Sequence, residues 1–317
     1  MTLKRILWVA LTLLAVMNNA YAQQYLRIGT GGTAGTYYPI GTLVANLVSQ
    51  PGKIVATAHA SNGSLGNVIG VTSGSLESGF SQADVATWAY SGTGIFTDKP
   101  RLSNLRLIAN LYPESIHIVV MKGSGINTVH DLKGKRVALD EAGSGTLISA
   151  RLVLKAYGLS ETDLTPEYIK PNQAGNKLRE GQLDAFFLTA GVPAKAIEDL
   201  AADGVDIALL PIDGAAADRL RAGSPFLLAD TIAAGAYKGV QEAHTVSVGA
   251  QWITNEKVSA DLIYQVTKAL YTNSAQVALS KSHSKGKFIT LKNAVQGAGI
   301  PFHIGAQRFY KEAGVLN

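Results

Sequence analysis

Eleven consecutive residues, Gly29-Thr30-Gly31-Gly32-Thr33-Ala34-Gly35-Thr36-Tyr37-Tyr38-Pro39, concentrate glycines, hydroxyls and phenols in one stretch. Glycines let the backbone approach a ligand closely, and N–H groups at a helix start favour negative charge. A second cluster, Gly143-Ser144-Gly145-Thr146, offers the same groups. Between them lie Ser61-Asn62-Gly63-Ser64 and Ser81-Gln82, with amide and hydroxyl groups that donate or accept in fixed directions. Any one of these Ser, Thr or Asn residues is accounted for by ordinary helix capping. Their recurrence on successive loops points instead to one shared site. Its expected ligand contacts are Thr33, Thr36, Tyr37, Asn62, Gly63, Ser64, Gln82, Ser144, Gly145 and Thr146. Tyr112 and Glu114, at a candidate linker, and Phe187, at a strand end, join the set. Glu114 reads either as a hinge ion-pair residue or as partner for a ligand hydroxyl or ammonium. Phe187 reads as a stacking residue or as core.

Several other chemistries lack their residues. Gly29-x-Gly31-x-x-Ala34 partly matches a dinucleotide fingerprint, but the ribose acid expected some 20 positions on is missing: no Asp or Glu precedes Glu77. No Ser sits in G-x-S-x-G, no glycine-rich run ends in Gly-Lys-Ser/Thr, and H-E-x-x-H does not occur. The six histidines (59, 117, 130, 244, 283, 303) have no ligand spacing and there is no cysteine, so neither metal nor cofactor is expected. No catalytic residue is assigned, although a triad assembled only by the fold stays open.

The elements that must hold these loops alternate strand and helix, an α/β class. Tyr25–Ile28 reads as a strand before the first loop, and Ile40, Leu43, Val44 and Leu47 form a helix stripe after it. Lys53–His59 and a run ending near Phe80 read as strands before the next two loops. The pattern then repeats. Lys135–Asp140 is a strand, Leu147, Ala150, Leu154 and Tyr157 a helix stripe, and Pro166–Lys170 a strand. Gly181-Gln182-Leu183-Asp184-Ala185-Phe186-Phe187 matches Gly74-Ser75-Leu76-Glu77-Ser78-Gly79-Phe80 at the Gly, Leu, acidic and final Phe positions. Two lobes built alike are expected, with small polar residues at strand C-termini, where α/β sheets bind ligands.

Lys4 and Arg5, the apolar run Ile6–Met17 and Ala20-Tyr21-Ala22 read as a signal peptide removed after Ala22, giving a periplasmic location. The remaining chain is long for one core and splits into residues 23–112 plus 245–317 as one lobe and 113–244 as the other. Hinge crossings fall near 111–118 and 240–248. Removing Lys4 and Arg5 lowers the net charge from +5 to +3, with no basic cluster for nucleic acid, and a monomer is expected.

On these motifs, with Gln82-Ala83-Asp84-Val85-Ala86, Leu111-Tyr112-Pro113-Glu114, Asp131–Val137, Pro211-Ile212-Asp213-Gly214 and Ile300–Ala306, the chain resembles the TAXI family of solute-binding proteins, which serve tripartite ATP-independent periplasmic (TRAP) transporters. The resemblance implies a type II-like clamshell, not an enzyme. It would close on a small carboxylate or amino acid such as glutamate or 2-oxoglutarate and deliver it to a TRAP permease. It implies a pocket drawing on Thr33, Tyr37, Asn62, Gln82, Tyr112, Ser144, Gly145 and Thr146, with Ser61-Asn62 departing from the family pattern. No arginine sits in these loops, so a carboxylate would rest on N–H groups and hydroxyls. An ABC-importer binding protein of the same shape is the alternative, and a periplasmic enzyme or a sensory module on the same lobes is a more distant one.

Overall fold

Strands β1 (Gln24–Gly29), β2 (Ile54–His59) and β3 (Ser78–Gln82) lie parallel in the order β2-β1-β3. Further along the chain, β5 (Arg136–Ala138), β6 (Thr165–Glu167) and β7 (Ala185–Ala190) repeat that arrangement as β6-β5-β7. Two long antiparallel strands, β4 (Leu105–Met121) and β10 (Ala243–Asn255), complete both units: β10 flanks β3 and β4 flanks β7. They pair with each other from Ser115–Ser247 to Leu105–Asn255, with irregularities near Gly249 and Trp252. The short strands β8 (Ile207–Leu209) and β9 (Leu228–Ile232) pair with β4 and β10. This is a two-lobed α/β clamshell of the type II-like periplasmic-binding-protein class. The description comes from a computed structural model and covers residues 23–317. Residues 1–22, with the expected signal peptide, lie outside the described residues. No helix among the described residues is long and apolar enough to cross a membrane.

The sequence match between the two units has a physical basis at its acidic position. Glu77, just before β3, accepts from the Arg27 backbone N–H at 2.8 Å and from the Arg27 guanidinium at 2.6 and 2.9 Å. Asp184, just before β7, does the same for Arg136, at 2.8 Å from the backbone and 2.7 and 3.1 Å from the guanidinium. Both pairs are partly exposed, so each contributes no more than about 1 kcal/mol. Their role is registry, since each ties the entry of one strand to its parallel neighbour.

Helices cover both faces of each sheet. In the first lobe, α1 (Tyr37–Val48) buries Ile40 and Val44, while Leu43 and Leu47 pack at the core's edge. Against it lies α8 (Ala260–Leu270), whose Leu262, Ile263, Val266 and Leu270 form the face expected from their spacing. The opposite face is covered by α2 (Ser64–Ser73) and α3 (Ala83–Ser91). The second lobe is built likewise, with α4 (Gly145–Ala156), α5 (Pro171–Arg179), α6 (Lys195–Ala202) and α7 (Gly214–Gly223) around two apolar clusters. The chain continues through α9 (Asn273–Ser282) and α10 (Leu291–Ala294) to α11 (Ile304–Glu312), which packs on α8. Two strands are shorter than their sequence patterns. β5 stops at Ala138 because the chain turns at Asp140, which takes φ +71°. β6 stops at Glu167, leaving room for Pro171 to start α5.

At the centre of the first lobe, Phe80 meets Tyr37 and Trp252 edge-on, with centroids 5.6 and 6.5 Å apart. Phe80 is fully buried. Phe80→Ala is therefore expected to cost roughly 3–5 kcal/mol in urea unfolding, by loss of apolar contact plus the cavity left behind. A cost below about 1 kcal/mol would mean this cluster does not hold the lobe together.

Candidate functional site

Four helices begin at one cleft between the lobes. Each follows a parallel strand, so each presents its N-terminus at the strands' C-terminal edge. An aligned helix carries about half a positive charge at that end, together with N–H groups that its own turns cannot satisfy. Thr36 and Tyr37 open α1, Gly63 and Ser64 open α2, Ser144, Gly145 and Thr146 open α4, and Lys170, Pro171 and Asn172 open α5. The arrangement favours a negatively charged ligand group.

One side chain fixes the three loops of the first lobe. Asn67, fully buried on α2, donates to the Thr30 carbonyl at 2.6 Å and the Phe80 carbonyl at 2.7 Å. Its own oxygen accepts from Ser61 Oγ at 2.7 Å. Thr30, also buried, donates to the His59 carbonyl at 2.7 Å. The ends of all three parallel strands are thus stapled by short polar residues, with no free group left on Asn67.

Backbone carbonyls of the second lobe accept from the first. Gly63, the N-cap of α2, has φ +92° and no side chain with which to cap the helix. The N–H groups of Leu65 and Gly66 instead reach the Gly143 carbonyl of the other lobe, at 3.0 and 3.1 Å. Asn62 Nδ2 donates to the Ala142 carbonyl at 3.0 Å, and Thr36 Oγ1 to the Gly191 carbonyl at 2.7 Å. Gly145 sits so close to the facing lobe that an added Cβ would lie 1.8 Å from Gln82 Oε1 and 2.6 Å from Ser64 Oγ.

The cleft brings together Thr36, Tyr37, Asn62, Gly63, Ser64, Gln82, Glu114, Ser144, Gly145 and Thr146. Three expected contacts lie elsewhere. Thr33 is exposed and outside the lining, because the loop projects it to solvent. Phe187 is 1% exposed and packs in the second lobe's core, on the face of β7 turned towards α4. Tyr112 is buried in the first lobe's core, its ring beside Gly191. Two further hydroxyls have structural duties: Ser144 Oγ caps α4 through the Leu147 N–H at 3.0 Å, and Thr146 Oγ1 accepts from the Thr189 N–H at 3.1 Å.

Sequence reasoning missed Asp140, Glu141, Lys170, Asn172 and Thr189, all in the lining. Asp140 and Glu141 follow β5 and could have been found by asking what stands at that strand's C-terminal end. Lys170-Pro171 carries a helix-start signal, a proline at the first helical position.

The carboxyls make the site more than an array of N–H groups. Glu114 is 2% exposed and accepts from the Tyr37 hydroxyl at 2.6 Å. Burial pushes its pKa up to about 8, against the opposing pull of the Tyr37 hydrogen bond and of Lys285. Burial likewise raises Asp140 and Asp84 to about 6. Glu114 also drives the Tyr37 hydroxyl upward, after burial itself. Among the described residues, no group of His, Cys, Asp and Glu is placed to hold a metal.

The profile of the NMT1-like family matches residues 28–314. The chain belongs to the NMT1-like family. It is 36% identical over 74 residues to a putative aliphatic sulfonates-binding protein of Escherichia coli K12, a match spanning 23% of either chain. Among solved structures, it is similar to the alkanesulfonate-binding protein SsuA from Xanthomonas axonopodis pv. citri bound to MOPS. That similarity has a TM-score of 0.51 and 21% identity, over 92% of this chain and 84% of the other. It is also similar to PhnD1 from Prochlorococcus marinus in complex with methylphosphonate, with a TM-score of 0.56 and 10% identity, over 92% and 99% of the two chains. These likenesses are to the fold.

The family match corrects the resemblance to TAXI proteins, and with it the TRAP permease and the carboxylate ligand. The motifs behind that resemblance are strand–glycine loop–helix junctions and hinge segments. They answer to the geometry of the clamshell, so they carry no information about the permease.

Two measurements check the site. An acid held neutral by the fold but ionised in the unfolded chain loses stability for the native state as pH rises between its two pKa values. For Glu114 that window runs from about 4.5 to about 8. Glu114→Gln should therefore gain in melting temperature relative to the parent as pH rises from 5 to 8. A constant difference would mean that Glu114 is ionised throughout. Gly145→Ala should leave the ligand-free melting temperature nearly unchanged but block the approach of Gln82. Small-angle scattering would then show a larger radius of gyration than for the parent, and equal radii would refute the steric argument.

Proposed function

We propose that this chain is the solute-binding subunit of an ABC-type importer, a non-enzymatic periplasmic protein that captures a small oxyanion of the sulfonate or phosphonate class. One observation carries the reading: in a chain of the NMT1-like family, four helix N-termini converge on the cleft between two lobes. Sulfonate- and phosphonate-binding proteins on the same fold support the ligand class, as does the shared stretch with the putative sulfonates-binding relative. Such a protein works by capture and handover, delivering its ligand to a membrane permease driven by an ATPase.

In this reading residues 23–112 and 245–317 form one jaw and 113–244 the other, with β4 and β10 as the hinge strands. Residues 1–22 direct export. Tyr37, Asn62, Ser64, Gln82, Ser144, Gly145 and Thr146 form the ligand's surroundings, Glu114 lies at the hinge end of the cleft, and Asn62 and Thr36 latch the jaws. Bound ligand favours the closed form by touching both jaws at once, which the open form cannot offer.

Thermal-shift and calorimetric titrations with ethanesulfonate, methylphosphonate, succinate and sulfate test this. A ligand that binds only the folded protein stabilises it by about 2.7 kcal/mol at one hundred times its Kd. Sulfonate or phosphonate probes are expected to raise the melting temperature by several degrees, and succinate is not. Stabilisation by succinate alone would overturn the ligand class.

A further inference from the structure

The stretch Gly191-Val192-Pro193, which leads from β7 towards α6 in the second lobe, is held by the first lobe at every residue. Its three consecutive carbonyls accept from three different first-lobe side chains. Gly191 takes Thr36 Oγ1 at 2.7 Å, Val192 takes Ser284 Oγ at 2.6 Å and Pro193 takes His283 Nε2 at 3.2 Å. Just beyond, the Ala196 N–H donates to the Ala34 carbonyl at 3.0 Å. Gly191 has no room for a side chain: an added Cβ would lie 2.7 Å from Lys285 Cγ, 3.0 Å from Thr36 Cγ2 and 3.2 Å from Tyr112 Cε2.

Each side of this contact is anchored in its own lobe. His283 and Ser284 stand between Leu279 and Ile289, both part of the first lobe's core. On the other side, the Ala194 N–H donates to the Tyr237 hydroxyl at 3.0 Å, and that hydroxyl lies 2.9 Å from His117 Nε2. His117 Nδ1 lies 3.0 Å from the Leu188 carbonyl. A carbonyl only accepts, so Nδ1 carries the ring hydrogen and the Tyr237 hydroxyl donates to Nε2.

We propose that Gly191–Pro193 and the first-lobe turn at His283 form a catch that holds the jaws together independently of the ligand, and that a proton on His283 releases it. His283 Nδ1 accepts from the Lys285 N–H at 3.0 Å, so the ring's one hydrogen sits on Nε2, where it serves Pro193. A second proton has only Nδ1 to occupy. There it faces the Lys285 N–H, hydrogen to hydrogen, and removes the cap of the turn Ser284–Phe288 that carries Ser284 and Lys285. Burial in the closed contact holds the imidazole below its ordinary 6.5; the Pro193 carbonyl and Glu198 of α6 pull it back up, and Lys285 of its own turn adds to the lowering. Opening returns the ring to water, so His283 favours the open form as pH falls below about 6.5. Asp140 and Glu114 act with the opposite sign, because burial in the closed cleft raises them to about 6 and about 8 and opening lets them ionise. A comparison of the parent with a His283 variant therefore isolates the catch.

The chain has no cysteine, so spin labels can be placed at Ile69→Cys on α2 and Lys155→Cys on α4, both exposed and one in each lobe. Pulsed dipolar spectroscopy on the mature, ligand-free chain then reads the open and closed populations. His283→Gln keeps an N–H for Pro193 but takes up no proton. Between about pH 7.5 and about pH 5.5 the open-to-closed ratio of the parent is expected to rise about threefold or more relative to that of His283→Gln, the worth of one ordinary hydrogen bond. A parent that stays closed, or that shifts in step with the variant, overturns release by the proton. Gly191→Ala should lie open at pH 7.5, and its His283 imidazole should titrate at higher pH than the parent's in an NMR titration. An unchanged distance distribution and an unchanged titration overturn the catch itself. Gly191 and His283 are outside the cleft lining, so either result leaves the oxyanion reading where it stands.

Discussion

The arrangement depends on one backbone contact, the Gly143 carbonyl of one lobe seated on the first N–H groups of α2 in the other. A helix start must have its free N–H groups satisfied, and Gly63 brings no side chain to do so. The second lobe therefore completes the first. The contact places Gly145 against Gln82 and Ser64, and brings the N-terminus of α4 to face those of α1 and α2. Moving the lobes apart exposes the same N–H groups to water, so opening carries no large penalty. That balance suits a clamshell that must both close and release.

What the cleft recognises follows from how its charges are divided. Helix N-termini contribute positive potential from the backbone, with no arginine needed. The carboxyls sit among buried neighbours, where Glu114 holds its proton to about pH 8 and Asp140 to about pH 6. At neutral pH Glu114 keeps its proton, which spares the cleft one buried charge without a permanent ion pair across the hinge. Lys285, two residues beyond His283, is 8% exposed and is itself held below the usual lysine range by burial.

The clamshell was legible from the chain because its grammar is local. Strand, glycine loop and helix stripe recur in order, and the match of Gly74–Phe80 with Gly181–Phe187 marked the two lobes. The arginine partners of the acids were not legible. Glu77 lies 50 residues from Arg27 and Asp184 lies 48 from Arg136, separations that only the parallel pairing brings together. The same locality misled the choice of transporter class, since glycine loops and hinge segments report the fold and not the permease.

The sequence by itself determined the class of fold, the loops that would line a site, and the absence of cysteine and of the common nucleophile and phosphate-loop motifs. Those properties reside in residue type and short spacing. Tertiary structure decided which hydroxyls are free. Ser144 and Thr146 each accept from a backbone N–H, of Leu147 and of Thr189, and keep only the hydroxyl hydrogen to give, while Phe187 turns into the core and Thr33 faces solvent. It also decided that Asp140 and Glu114 share a cleft with four helix N-termini. The physical reason is that burial and hydrogen-bond partners are set by which elements pack together. A side chain's availability to a ligand is what remains after the fold has taken its share.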